Sequence, residues 1–86
     1  MNYLMKIRIP FSSISKPVKA LEDSVNTTMS EFGFHEKMQI TTVIPMTITA
    51  SEPMTKEQIE LLKNMTVEHY TEAFGSASIE SFEVIV

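Results

Sequence analysis

Apolar and polar residues alternate from the start of the chain. Tyr3, Met5, Ile7, Ile9 and Phe11 share one parity, with Lys6 and Arg8 on the other. A period of two predicts a half-buried strand. Pro10 places the last part of that strand at an end or an edge. The period then changes. Val18, Leu21, Val25, Met29 and Phe32 follow at spacings of 3, 4, 4 and 3, one stripe along a helix. Pro17 suits the first turn, with Ser15 or Lys16 near the cap. Gly33 suits the left-handed position just past the end, and Phe34 can then pack back on Met29.

Alternation returns over residues 38–51, where Met38, Ile40, Thr42, Ile44, Met46, Ile48 and Ala50 keep one parity straight through Pro45. No glycine or Asn-Gly marks a hairpin. Either Ile44-Pro45-Met46 turns the chain without the usual residues, or one long strand is bent there by a proline bulge. A second helix has a clear start. Thr55-x-x-Gln58 is a capping box, and Met54 and Ile59 occupy the two positions of a hydrophobic staple. Ile59, Leu62, Met65 with Thr66, His69 and Ala73 predict its inner stripe, with Glu57, Glu60, Asn64 and Glu68 outside. Phe74-Gly75 closes it. A last strand is expected over roughly Ile79–Val86. Its run Phe82-Glu83-Val84-Ile85-Val86 predicts cover on much of both faces.

The two glycines of the chain, Gly33 and Gly75, each follow a phenylalanine at an expected helix stop, where average usage would give about six glycines. The halves match weakly: Met5 falls on Met46, Leu21 on Leu62, and Phe32-Gly33 on Phe74-Gly75. The pattern predicts one α+β domain over residues 1–86, built of two β-α-β halves, about 1–44 and 45–86. Joined, they give the ferredoxin-like β-α-β-β-α-β sandwich, with two helices on one face of a mainly antiparallel sheet. If residues 38–51 are one bent strand, the order is β-α-β-α-β, and the long middle strand would be shared with a second chain.

Eighty-six residues leave a small stability margin unless a partner helps. The absence of cysteine excludes disulfides, thiolate catalysis and thiolate metal sites. No apolar stretch approaches the roughly 18 residues of a membrane span, and the first residues lack a signal-peptide layout, so a cytoplasmic location is the expectation. The net charge of −4 is uneven, with residues 1–43 at +1 and residues 44–86 at −5. That balance argues against a general nucleic-acid binder, which needs to neutralise phosphates.

Candidate chemistry is sparse. The solvent side of the first strand would show Leu4, Lys6 and Arg8, with Thr47 and Thr49 nearby, and this is no aromatic platform for stacking bases. Ser12-Ser13-Ile14-Ser15 precedes a helix amino terminus but lacks the glycines of a phosphate loop. Pro45 opens a β-α-β unit and so looks superficially similar to the tautomerase family. The chemistry of that family needs a free amino-terminal proline, whereas Pro45 has an amide nitrogen, so the role does not carry over. His69 has Glu68 before it and Glu72 one turn on, a possible acid–base pair or half a metal site. Its place on the apolar stripe reads instead as a partly buried structural histidine, and His35 as a loop residue. No catalytic, cofactor or metal site is expected. The seven methionines read as adaptable core, with Met38 and Met46 marking a partner surface if exposed.

These observations point first to a non-enzymatic binding or regulatory module acting by protein–protein contact, as a homodimer. The expected partner-binding residues are Glu57, Glu60, Glu68, Glu72, Lys6 and Arg8. A second reading is an acidic inhibitor that presents its second helix to a basic partner. A third is a small enzyme with an interface site using His69, Glu72, Arg8 or Tyr70.

Overall fold

The computed structural model describes residues 1–85. Its elements are β1 (Asn2–Pro10), a single 3-10 turn (Phe11–Ser13), α1 (Lys16–Glu31), β2 (Thr41–Thr49), α2 (Lys56–Phe74) and β3 (Ser78–Val84). The three strands form one antiparallel sheet in the order β2-β1-β3. The class is α+β. The order is β-α-β-α-β, not the expected ferredoxin-like β-α-β-β-α-β, because one strand runs through Pro45 without a hairpin, and its unbroken register with β1 shows no proline bulge. The boundary between the two expected halves, at residues 44 and 45, falls inside β2.

Why a strand tolerates proline here follows from the ladder. Phe11 N–H donates to Ile40 C=O and Ala50 N–H to Met1 C=O, and the Met1 amino group donates back to Ala50 C=O at 2.8 Å. Antiparallel partners alternate between bonded and non-bonded pairs. Every odd position of β1 is therefore a bonded pair with β2 and every even position is not. Lys6 faces Pro45 in a non-bonded pair, so the ring nitrogen points to the free edge and no ladder bond is lost.

β1 is the centre of the molecule. Its odd residues Tyr3, Met5, Ile7 and Ile9 are at most 2% exposed, and they are the only fully buried hydrophobic side chains among the described residues. Ile44, Met46 and Ile48 of β2, Ile79 and Phe82 of β3, and Leu62, Tyr70 and Phe74 of α2 pack around them. The β1–β3 register shifts between Lys6 and Ile7. This bulge lets Ile79 and Phe82, an odd number of residues apart, share the inner face, and it turns Glu80 toward Arg8. The last strand is an edge and not a doubly covered one: Val84 is 56% exposed. Val86, the end of the expected strand, lies outside the described residues.

The two helices are placed very differently. α2 lies across β1 and β3 on the inner face. Its amino terminus carries the full capping box, with Gln58 N–H donating to Thr55 Oγ1 and Thr55 N–H to Gln58 Oε1. α1 does not join it, so the expectation of two helices on one sheet face fails. α1 packs against the 3-10 turn and has no substantial contact with a strand. Ser15 caps it by accepting from Val18 N–H. At its other end Phe34 N–H donates to Met29 C=O and Gly33 N–H to Ser30 C=O, the paired bonds of a Schellman stop, with Gly33 at φ +85°.

Residues 32–40 then return along α1. They are not strand, although the alternation extends to Met38. The backbone groups that a strand partner would satisfy are taken by α1 side chains one turn apart. Asn26 exchanges two bonds with Met38 (2.7 and 2.9 Å), and the Glu22 carboxylate accepts from Ile40 N–H at 2.7 Å. Because Pro10 and Thr41 are ladder partners, residues 11–40 leave and rejoin the sheet at one point. They form an arm that draws the molecule out to 55 × 22 × 22 Å.

Candidate functional site

The residues singled out for binding do not form one patch. Lys6 and Arg8 are even positions of β1 and lie on the outer sheet face, opposite α2. Arg8 is also committed there. Its Nε and Nη2 donate to the two carboxylate oxygens of Glu80 at 2.9 Å each, and Nη1 donates to Thr41 Oγ1. The fork joins all three strands. The Arg8 hydrogen bonds and charge hold the Glu80 carboxyl below its ordinary range, and Glu80 in turn raises the Arg8 guanidinium.

Glu57, Glu60, Glu68 and Glu72 are exposed on α2, on the far side of the sheet from Arg8 and Lys6. Glu60 lies 3.6 Å from Lys63, whose ammonium sits over the Phe82 ring at 5.5 Å. The enzyme set separates in the same way, with Arg8 on one face and His69, Tyr70 and Glu72 on the other. His69 is exposed, not a partly buried member of the inner stripe. Tyr70 and Phe74 take that stripe instead of His69 and Ala73, stacking edge to face at 5.6 Å. One step of 100° around the helix separates the two sets, and the larger aromatic rings occupy the core. Among the described residues, no group of three or more acidic or histidine side chains converges to hold a metal ion.

What the structure brings together is apolar. α2 covers β1 and β3 but leaves the inner face of β2 half open. A groove of ≈ 370 Å³ runs there, lined by Met5, Met46, Ile48, Leu62, Met65 and Tyr70, with His69 at its lip. Tyr70 Oη donates to Met46 Sδ at 3.3 Å across the floor. The groove continues past Ile48 and Leu62 toward the β2–α2 connection. Three methionines give it an adaptable lining. On the arm, Leu21, Phe32 and Phe34 are 56, 77 and 57% exposed. The sequence does not disclose either surface, since both exist only because α1 is elsewhere. Met38 and Met46, the methionines expected to mark a partner surface if exposed, are both half-buried, and the exposed methionine of the groove is Met65.

No helix among the described residues is long and apolar enough to cross a membrane. Comparison with protein-family models, curated proteins and solved structures finds no match to the chain.

Proposed function

We propose that the chain is a non-enzymatic binding module, homodimeric and cytoplasmic, that acts by protein–protein contact through the arm and the open groove. One observation carries this reading. The chain exposes 6131 Å², whereas a compact monomer of its mass would expose about 5,100 Å². Its radius of gyration is 16.7 Å, against roughly 12 Å for a compact chain of this length. The extra surface includes the exposed rings of Phe32 and Phe34, aromatic side chains of a type enriched at interfaces. A photoreactive amino acid at Phe32, expressed in native cells, is expected to yield protein adducts. A folded chain that forms none overturns the reading.

A second reading rests on α2, where Glu57, Glu60, Glu68 and Glu72 all stand in solvent. An acidic inhibitor would present them to a basic partner, and its binding would weaken with salt. The double variant Glu60→Lys/Glu68→Lys would then abolish capture. Capture that survives both reversal and high salt rules this reading out.

A further inference from the structure

The chain carries a helix without a sheet to cover and a sheet face without a second helix. We propose that two copies exchange their arms, so that α1 of each lies in the β2 groove of the other, beside α2. This rests on the binding reading above and names its partner: a second copy of this chain.

The dimensions fit. α1 has 16 residues and so is about 24 Å long. β2 has nine and runs about 30 Å. The chemistry fits as well. The stripe Val18, Leu21, Val25, Met29 and Phe32 meets a floor of Met46 and Ile48 and a wall of Leu62 and Met65. Exchange is reciprocal, so it satisfies both copies about one two-fold axis and closes without leaving a free site. The area is sufficient. Each chain exposes about 1,000 Å² more than a compact monomer of its mass, so a pair removes roughly 2,000 Å², the lower end of obligate dimer interfaces.

The β2 edge explains why the copies meet through helices and not by strand sharing. Pro45 takes a donor from the middle of that free edge, which blunts it as a template for another strand. The charges on α1 and α2 are not complementary, so the contact is apolar and resists salt.

The absence of cysteine makes the test direct. Leu21→Cys and Met65→Cys replace exposed side chains, so neither disturbs the core. Chains bearing one or the other, with different tags, are mixed, unfolded, refolded together and treated with a short bismaleimide. A covalent heterodimer of twice 9.7 kDa is expected, together with a dimer by light scattering at micromolar concentration. In the double variant, a crosslink within one chain would show the arm closing on its own sheet and would overturn exchange. So would a dimer with no crosslink between residues 21 and 65; that result leaves the binding reading standing. A strict monomer whose arm yields adducts with other proteins overturns exchange and the homodimer but leaves binding through the arm standing, and a strict monomer without adducts overturns both readings. Leu21→Asp with Phe32→Asp is expected to weaken the dimer by at least about 100-fold, since charge would enter an apolar groove. The circular-dichroism spectrum of the sheet and α2 should be unchanged, and a dimer of undiminished affinity would overturn the proposal.

Discussion

α1 and α2 share a design and differ in fate. Each starts at a side-chain cap, carries an apolar stripe and ends at Phe-Gly. α2 packs on the sheet and completes the core; α1 stands off it with its stripe partly in solvent. The cleaner stripe belongs to the helix that leaves. Val18 to Phe32 keep strict 3–4 spacing, whereas α2 interrupts its inner row with Thr66 and carries Leu61 and Met65 outside. Amphipathicity states that a face must be covered. It does not state by which element, or by which chain.

Substitution inside the two stripes separates the helices most sharply. Leu62→Ala should lower the unfolding free energy by about 2–3 kcal/mol, since Leu62 borders the buried β1 residues. Leu21→Ala should cost under about 0.5 kcal/mol in dilute chain, where it removes an exposed side chain. At high concentration its cost should rise, and chemical denaturation at two protein concentrations would show this. Equal costs for the two variants at every concentration would abolish the contrast.

The glycine stops give the next largest effect. Gly33 and Gly75 have φ of +85° and +90°, and nothing lies within 4 Å of an added Cβ at either. Alanine therefore costs about 1 kcal/mol of backbone strain and no clash. Gly75→Ala should lower the midpoint of global unfolding. Gly33→Ala should instead speed hydrogen exchange within α1 and leave the sheet amides unchanged. The caps follow the same division. Thr55→Ala should cost about 1 kcal/mol globally, whereas Ser15→Ala should register in arm exchange alone.

The smallest effect lies on the outer sheet face. Glu80 has its folded pKa lowered, so its pairing with Arg8 stabilises above the unfolded value near 4.5 and is lost as pH falls through the folded value. The stability gap between the wild type and Glu80→Gln should be present at neutral pH and vanish in acid. A gap that widens in acid would contradict the pairing.

Much of this architecture is legible in the residues. β1, both helices, both stops, the capping box and the inner parity of β2 follow from period and end chemistry. Pro45 misleads because a proline reads as a turn until the ladder shows its nitrogen at a free edge. Residues 38–40 mislead because Asn26 and Glu22 bond their backbone as a strand would, from a helix twelve or more positions away. His69 loses its place to Tyr70 by a single step of helix rotation. The groove is legible nowhere in the chain, because an open surface is the absence of an element and has no residue pattern of its own.

The arm also carries a topological cost. Phe11 and Ile40, which already share a ladder bond, could be joined by a two-residue turn. Closing the loop through residues 12–39 instead costs roughly 2 kcal/mol more in chain entropy. The turn would be the cheaper hairpin for a protein that needed only its sheet. A chain trimmed to that turn should fold faster and stand alone, and whatever it then fails to do is the task the arm serves.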